Sequence, residues 1–332
     1  MTALIELRDV YMFFPVGKDR TMQAGYNVNL KVSRQDMIAV IGESGCGKTT
    51  IGKICLGVQK PSQGEVAYQG NNIWKKDFKW SRELRSSVQV VHQDSYASLN
   101  PVRTVFQTLS APLYHYQIAG SRAEAKKKVS ELLSSVDLCP TDYYMSKYPF
   151  QLSGGQRQRV SIARATILQP KVIIADEPVS AVDASLKLSV LDLMKKLNSE
   201  HGIAFLYITH DLATARYFAP GGRIIVMYLG RIVEQGIISE AVSSPGHPYL
   251  QALISAIPPS DPHKAKIRIE LPLKSFDLPS AAAPPSGCVF HPRCPYATDI
   301  CEREAPELAL TARYSNRLIS CHHKDTIPGF HD

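Results

Sequence analysis

A glycine-rich run between an apolar segment and a helical one is the first place where this sequence could do chemistry. The run is Gly42-Glu43-Ser44-Gly45-Cys46-Gly47-Lys48-Thr49. Glycines let backbone N–H groups curl around phosphate oxygens, and the helix that follows adds a favourable field at its N-terminus. Lys48 supplies a positive charge for the β- and γ-phosphates of a nucleotide, and the Thr49 hydroxyl is placed to bind Mg²⁺. The run therefore predicts a nucleotide phosphate site.

Two adjacent acidic residues close a second apolar run, Val172-Ile173-Ile174-Ala175-Asp176-Glu177. The apolar residues predict a buried strand, and Asp176 at its carboxyl end is expected to hold Mg²⁺ through water. Two acids can also simply end a strand. Here, however, the sheet must return close to the phosphate loop, which favours a role in nucleotide chemistry.

A second glycine-rich turn, Leu152-Ser153-Gly154-Gly155-Gln156, precedes the acidic strand end. It leads into a helical pattern, so Ser153 and the two glycines can present hydroxyl and backbone donors at a helix N-terminus. This anion site lies apart from the lysine of its own phosphate loop, so its phosphate must come from elsewhere. With the phosphate loop upstream and the two acids downstream, the turn makes the chain closely resemble the ATP-binding cassette (ABC) ATPases.

The resemblance implies roles for residues outside the phosphate loop. Glu177 corresponds to the catalytic glutamate that polarises the attacking water. Gln93 corresponds to the glutamine that senses Mg²⁺ and the γ-phosphate, and His210 to the histidine that contacts the γ-phosphate. Asp183, in Ser180-Ala181-Val182-Asp183, matches the loop that touches the opposing site. In this family the turn at Ser153 closes over ATP held by a partner subunit, so we expect the protein to work as a dimer.

The residues that the resemblance assigns to ATP form one set. They are Phe14, Gly42, Glu43, Ser44, Gly45, Cys46, Gly47, Lys48, Thr49, Thr50, Gln93, Ser153, Gly154, Gly155, Gln156, Asp176 and Asp183. Mg²⁺ is expected at Thr49, Gln93 and Asp176. Catalysis is expected at Glu177, His210 and Gln93.

One aromatic residue after the first strand is expected to stack on the adenine. Phe14 aligns best, and Phe13 and Tyr11 are its rivals. A packing role in the core explains any of the three equally well.

Strands and helices must position these residues, and the hydrophobic pattern predicts them. Residues 4–30 alternate apolar and polar side chains and predict an antiparallel β region. Buried or short strands are predicted at 37–41, 65–68, 88–93, 172–175, 204–209 and 224–228. Helical stretches between the strands predict a mainly parallel, covered sheet, and the pattern over about 97–165 is mostly helical. The predicted fold is α/β, a P-loop NTPase core with an antiparallel β subdomain and a helical subdomain.

Composition changes near the end of the chain. The ABC resemblance covers about residues 4–245, and Pro258-Pro259 opens a stretch to residue 287 that is rich in Pro, Ala and Ser. Such a stretch is typical of a linker or an extended arm. We predict a nucleotide-binding domain over 1–255 and a small cysteine-rich C-terminal extension over 256–332. The sequence has no internal repeat, which indicates one cassette per chain.

Bulk properties argue against several classes of function. The sequence has no run of 18 uncharged apolar residues, and Glu6 and Arg8 stand where a signal peptide would be apolar. The net charge of +8 could indicate nucleic acid, but the basic residues are scattered. Lys126-Lys127-Lys128 lies within a helical pattern over 123–136, where it predicts a solvated face. We expect a cytosolic chain with no nucleic-acid partner, held at the cytoplasmic face of the membrane by other subunits.

Three further segments narrow the resemblance to one branch of the family. The segments are Tyr96-Ala97-Ser98-Leu99-Asn100-Pro101, Gly246-His247-Pro248-Tyr249-Leu250-Gln251-Ala252-Leu253-Ile254 and Gly287-Cys288-Val289-Phe290-His291-Pro292-Arg293-Cys294-Pro295-Tyr296-Ala297. They are similar to segments of ATPase subunits from oligopeptide and dipeptide importers.

Four cysteines crowd the tail, namely Cys288, Cys294, Cys301 and Cys321, with the spacings C-x₅-C, C-x₆-C and C-x₁₉-C. In a reducing compartment such a cluster favours metal over disulfides. Four thiolates can bind a [4Fe–4S] cluster or tetrahedral zinc, and zinc sites more often use pairs two to four residues apart. The wide gaps therefore favour the cluster, which the importer branch associates with these four cysteines.

Other interpretations of the four cysteines stay open. Zinc is the alternative cofactor because His291, His322 or His323 could replace a thiolate. A structural disulfide pair and four unrelated core thiols are further alternatives. We expect the site to stabilise the structure of the tail rather than to take part in catalysis.

The resemblance implies an ATP-binding and hydrolysing subunit of an ABC importer for di- or oligopeptides. The implied partners are a second ABC ATPase subunit, two membrane permease subunits and an extracytoplasmic solute-binding protein. A paralogous heterodimer is favoured, with a homodimer as the alternative. Import of nickel or oligosaccharides, or a soluble ABC ATPase that acts on nucleic acid or ribosomes, are the other functions considered. The soluble relatives usually carry paired cassettes or long coiled-coil insertions, neither of which appears here.

Overall fold

The computed structural model describes residues 3–17, 20–257 and 271–328 of the chain. It divides into two compact units. The first unit comprises Met1–Ile5, Val32–Asp36 and Ala67–Ile208. The second unit comprises Glu6–Lys31, Met37–Val66 and Thr209–Asp332.

Strands and helices alternate through most of the described chain. The strands are β1 (Ile5–Val16), β2 (Arg20–Val32), β3 (Met37–Ile41), β4 (Gln63–Tyr68), β5 (Asn71–Asn72), β6 (Val88–Val91), β7 (Val172–Asp176), β8 (Ala204–Thr209), β9 (Arg223–Tyr228), β10 (Arg231–Ile237), β11 (Ala309–Leu310) and β12 (Leu318–Ile319). The helices are α1 (Lys48–Cys55), α2 (Arg82–Ser87), α3 (Ser95–Ser98), α4 (Val105–His115), α5 (Arg122–Ser135), α6 (Thr141–Met145), α7 (Gly154–Thr166), α8 (Ala184–His201), α9 (Leu212–Phe218), α10 (Ile238–Ser243), α11 (Pro248–Ser255) and α12 (Asp299–Arg303).

Parallel strands in the order β8-β7-β6 form the sheet of the first unit. The central strand β7 pairs with β6 from Val88↔Val172 to Val91↔Ala175, and with β8 from Val172↔Ala204 onward. The apolar residues of β7 and all residues of β8 are buried, as expected for a parallel sheet covered on both faces. Parallel strands share one polarity, so the residues that follow β6 and β7 lie at the same edge of this sheet.

Three helices of the first unit, α4, α5 and α7, begin at residues whose side chains cap them. Thr104, Ser121 and Ser153 each accept a hydrogen bond from the backbone N–H three residues later, which satisfies a donor at the helix start. In α5 the residues at 125, 129 and 133 are buried, whereas Lys126 and Lys127 are exposed. The basic cluster is therefore a solvated helix face, as the sequence predicted.

Two sheets organise the second unit. One contains β1 between β2 and β4, and the other has the order β11-β12-β10-β9-β3. In the latter, β3 and β9 are parallel from Ile38↔Arg223 to Ile41↔Val226, and β10 is antiparallel to β9. The short strand β12 pairs with β10 at Glu234↔Ile319 and Gln235↔Leu318. The last part of the chain thus extends the same sheet that carries the phosphate loop.

Most predicted elements are present with ends shifted by one or two residues. The predicted strand 88–93 ends at Val91, and the helix predicted to follow the phosphate loop spans Lys48–Cys55. The pairing of β12 with β10 and with β11 was not predicted, because strands of two residues carry no recognisable alternation. Residues 258–270 of the predicted linker lie outside the described residues, and 271–287 contain neither helix nor strand. Within the described ranges, no helix combines the length and the apolarity needed to cross a bilayer.

Candidate active site

The phosphate loop joins β3 to α1, and close backbone packing demands glycine at two of its positions. A side-chain carbon on Gly47 would lie 2.0 Å from the carbonyl oxygen of Ala24, and one on Gly42 would lie 2.2 Å from that of Met227. Gly47 also has a φ of 105°, a conformation that side chains disfavour. Larger residues at these positions would push the loop away from β2 and β9.

Lys48 is the first residue of α1, and its ammonium group is held against the loop. Lys48 is only 5% exposed, and its Nζ donates to the carbonyl oxygens of Gly42 at 2.7 Å and Glu43 at 2.9 Å. These acceptors satisfy a buried charge that would otherwise be costly. The N-cap residue of α1 is Gly47, which has no side chain to cap the helix. The start of α1 therefore has no side-chain cap, and the field at a helix N-terminus favours an anion such as a phosphate.

Gln93 and Glu177, two of the predicted catalytic residues, meet in the first unit. Gln93 Nε2 donates to Glu177 Oε2 at 3.3 Å. Glu177 directly follows β7 and has a φ of 45°, in the left-handed region. Its N–H donates to Ile208 O at 2.9 Å, and its carbonyl accepts from Ser180 Oγ at 2.9 Å. These bonds fix an unfavourable backbone conformation and direct the carboxylate toward the segment after β6.

The other predicted residues of phosphate chemistry occupy both units. Asp176 ends β7 in the first unit, and Thr49 is the exposed second residue of α1 in the second unit. His210 follows β8, is exposed, and belongs to the second unit as well. Next to it, Asp211 caps α9, and its own N–H donates to Thr209 Oγ1 at 3.0 Å. These bonds hold the backbone on both sides of the histidine.

The glycine-rich turn at 153–156 starts helix α7 with a capping box. Ser153 Oγ accepts from the N–H of Gln156 at 3.3 Å, and Gln156 Oε1 accepts from the N–H of Ser153 at 3.0 Å. A hydroxyl that accepts here keeps its own hydrogen for another acceptor. A side-chain carbon on Gly155 would lie 2.9 Å from Leu186, close behind Asp183. The turn is therefore packed against the first turn of α8, the helix that follows Asp183.

The aromatic residues of β1 divide between its two faces. Tyr11 and Phe13 share one face, where their rings stack at 6.4 Å, and Tyr11 also meets Tyr26 at 5.0 Å. Phe14 lies on the opposite face with Met12, because neighbouring strand residues alternate. Met12 and Ile51 of α1 both approach Gly25, within 3.5 Å of the point where its side chain would begin. Of the three aromatics, Phe14 therefore shares the strand face that packs on the helix of the phosphate loop.

The four tail cysteines line one cavity in the second unit, and His291, His322 and His323 also line it. Four thiols around one space match the donor set of an iron–sulfur cluster. In the part of the chain that is described, no three His, Cys, Asp or Glu side chains are arranged to hold a single metal ion.

Burial raises the pKa of three of these thiols, those of Cys288, Cys294 and Cys321. The pKa reaches about 12 for Cys294 and for Cys321, with burial as the largest cause and the neighbouring cysteines contributing in the same direction.

Sequence reasoning missed two residues that contact the phosphate loop. Tyr249 and Arg293 both contact Glu43, the first through its hydroxyl and the second through its guanidinium group. Both residues stand inside segments that the sequence marked as branch-specific. No pattern in the sequence pairs either of them with residue 43.

Comparison with known proteins gives matches to two protein families and to individual relatives. Residues 26–180 match the family described as ABC transporter, and residues 233–301 match the one described as oligopeptide/dipeptide transporter, C-terminal region. The chain is 39% identical over 326 residues to the oligopeptide transport ATP-binding protein AppF of Bacillus subtilis (strain 168), covering 96% of this chain and 97% of that relative. It is 39% identical over 336 residues to the di/tripeptide transport ATP-binding protein DppF of Pseudomonas aeruginosa (strain UCBPP-PA14), covering 99% and 100%.

A solved structure shares the fold. It is an ATP-binding cassette in a dimeric, post-hydrolysis state bound to ADP and phosphate, with a TM-score of 0.62 and 31% sequence identity. The likeness covers 70% of this chain and 98% of that one.

Proposed function

This chain belongs to the ABC transporter family, and we propose that it is the ATP-hydrolysing subunit of an importer of di- and oligopeptides. The observation that carries the proposal is the near-complete coverage by relatives named as oligopeptide or di/tripeptide transport ATP-binding proteins. Matches to both the cassette and the importer-type C-terminal region support it.

The nucleotide site is proposed from the geometry of each unit. Phosphates would bind at the open N-terminus of α1, with Lys48 moving its ammonium group from the loop carbonyls to the β- and γ-phosphates. Glu177 would polarise the attacking water, with Gln93 beside it and His210 at the γ-phosphate. Phe14 would stack on the adenine from its face of β1. Mg²⁺ would be held by Thr49, Asp176 and Gln93, and it would neutralise charge on the phosphates.

The turn at 153–156 is proposed to act on a partner's ATP. Ser153 is exposed, its hydroxyl hydrogen is available to an acceptor, and α7 places N–H groups behind it. Asp183 would contribute at the same interface. The dimeric state of the structurally similar cassette supports such an arrangement. The partner is proposed to be a paralogous ATPase subunit.

Coupling to membrane subunits is proposed through the segment after Gln93. Tyr96 is 53% exposed and Val102 is 78% exposed, so large apolar surface is offered to a partner. The guanidinium group of Arg157 lies 5.6 Å from the Tyr96 ring, and Arg164 donates to Ser98 O. A displacement of this segment would therefore be transmitted to α7 and to the turn at 153–156, which is proposed to contact ATP. Two permeases and a solute-binding protein complete the proposed complex at the cytoplasmic face of the membrane.

Residues 256–332 are proposed to form a C-terminal extension that holds a [4Fe–4S] cluster. Cys288, Cys294, Cys301 and Cys321 would ligate it, and its role would be structural. The cavity that all four thiols share supports the assignment. Zinc is the alternative that elemental analysis would reveal.

Reconstitution of the whole transporter tests the function. The subunit would be copurified with its permeases and ATPase partner, inserted in proteoliposomes and given labelled di- and oligopeptides with the solute-binding protein. We expect ATP-dependent peptide uptake that stops when Lys48 is replaced by Ala. Uptake of nickel or oligosaccharide without peptide uptake would contradict the peptide assignment. Copurification with nucleic acid and no permease would contradict transport altogether.

A further inference from the structure

The phosphate loop is tied to the tail through one residue, Glu43. Arg293 Nη1 donates to both carboxylate oxygens of Glu43 at 3.1 Å. The Arg293 side chain is only 8% exposed and that of Glu43 is 25% exposed. A pair this shielded is screened less by salt than a surface ion pair.

The backbone of Glu43 is held as well. Its N–H donates to the hydroxyl of Tyr249 at 2.8 Å, and its carbonyl accepts from Lys48 Nζ at 2.9 Å. The N–H, the carbonyl and the side chain of one loop residue are therefore all engaged. Two of the three partners come from the chain beyond residue 245.

Both tail partners sit in an aromatic cluster that restrains them. The Arg293 guanidinium lies 5.8 Å from the Tyr228 ring and 5.7 Å from the Phe290 ring, and it donates to Tyr228 Oη at 3.4 Å. The ring of Tyr249 lies 4.7 Å from that of Tyr228 and 5.5 Å from that of Phe290. The rings fix the direction from which the guanidinium reaches Glu43.

A second contact joins the tail to the strand behind the loop. The N–H of Gln23 donates to Ala281 O at 3.0 Å. The next residue, Ala24, is the one whose carbonyl oxygen lies against Gly47. The tail therefore supports the loop near both of its ends.

We propose that Arg293 is a positioning residue of the nucleotide site, which neutralises Glu43 and orients the phosphate loop for the triphosphate. The inference rests on the proposed function only in taking the loop as the ATP site. Without Arg293, the Glu43 carboxylate would stand uncompensated in a loop that must accept an anion. Because ATP carries more negative charge than ADP, its binding would suffer more.

Nucleotide binding to the purified subunit tests this. Arg293→Met keeps an apolar stem and removes the charge, and we expect it to weaken ATP binding about tenfold and ADP binding less. Adding Glu43→Gln to Arg293→Met should restore ATP affinity to within about twofold of wild type, because it removes the repelling charge. Raising the salt to about 0.5 M should shrink the loss caused by Arg293→Met.

Control variants separate charge from packing. Arg303→Met lies in the same tail, where Arg303 is exposed and pairs with Asp299, and it should leave ATP affinity unchanged. Arg293→Lys, which keeps the charge, should lose less than Arg293→Met and serves if the latter does not fold. Wild-type affinity in folded Arg293→Met, or a loss that Glu43→Gln does not reverse, would overturn the proposal. A wild-type chain that binds no ATP would instead overturn the proposed function.

Discussion

At the scale of single residues, Glu177 shows how the backbone prepares a side chain for chemistry. A non-glycine residue in the left-handed region is unfavourable by about 1 kcal/mol or more. Here the cost is offset by the bonds to Ile208 and Ser180, which hold the residue directly after the buried strand. The position of the carboxylate therefore depends on the backbone rather than on its charge.

Glu177→Gln should preserve this geometry and remove the function. The amide cannot polarise water, so we expect ATP hydrolysis to fall at least about a hundredfold while ATP binding is kept. The ATP-bound dimer should accumulate, which size-exclusion chromatography with ATP would detect. Hydrolysis at the wild-type rate would remove Glu177 from its role.

Ser153→Arg should act on the opposing site. A long cation would block the hydroxyl and the N–H groups at the start of α7, so we expect hydrolysis by the dimer to drop roughly tenfold or more. ATP binding to the same chain's phosphate loop should stay unchanged. The matched control is Ser199→Arg, since Ser199 is exposed on α8. Equal effects of the two variants on hydrolysis would argue against a specific role of Ser153, and weaker ATP binding by Ser153→Arg itself would argue against an action in trans.

At the scale of elements, a buried ion pair joins β10 to Arg317, the residue directly before β12. Arg317 Nη1 lies 3.4 Å from Glu234 Oε1, with side-chain exposures of 2% and 0%. The Glu234 carboxylate also accepts from the N–H groups of Gly246 and His247. Burial raises the pKa of Glu234 to about 7, although the His247 N–H, Arg317 and the Gly246 N–H oppose the shift.

Arg317→Met should destabilise the fold by about 3–5 kcal/mol, because it leaves a buried carboxylate without its cation. The folded-state pKa of Glu234 is raised above its ordinary value of 4.5, so its contribution to stability is lost as pH rises through about 7. We therefore expect the loss to be larger at about pH 8 than at about pH 5, where the carboxyl is protonated. Urea unfolding of both proteins at the two pH values measures the difference. A loss independent of pH would indicate a packing effect alone.

Elements also show what the sequence could predict. Apolar strands such as Ala204–Thr209 could be predicted from the sequence, because a parallel strand that is buried on both faces consists of a nearly continuous run of apolar residues. The phosphate loop that begins at Gly42 could also be predicted, from the spacing of its glycines and from the strand and helix on either side of it. The pairing of Glu234 with Arg317, and of Glu43 with Arg293, joins residues 83 and 250 positions apart. No local pattern encodes contacts at such distances, so they required the structure.

At the scale of the whole molecule, the proposed cluster predicts a difference between cysteines that look alike in the sequence. Cys294→Ser should reduce bound iron and lower the melting temperature of anaerobically purified protein, because a ligand is lost. Cys139→Ser is the control, since Cys139 is exposed and lies in the first unit. Absence of both iron and zinc from the wild type would contradict a metal site. Zinc in place of iron would select the alternative.

The contacts of Glu43 also set an order of events during synthesis. Its partners Tyr249 and Arg293 follow it by 206 and 250 residues. A ribosome exposes the phosphate loop early, but the loop receives its hydroxyl and guanidinium partners only when the tail emerges. Folding of a nascent chain proceeds from the N-terminus, so the phosphate loop is among the last parts of this protein to acquire all its contacts. A chain released before residue 293 has every residue of the loop and lacks the arginine that neutralises it.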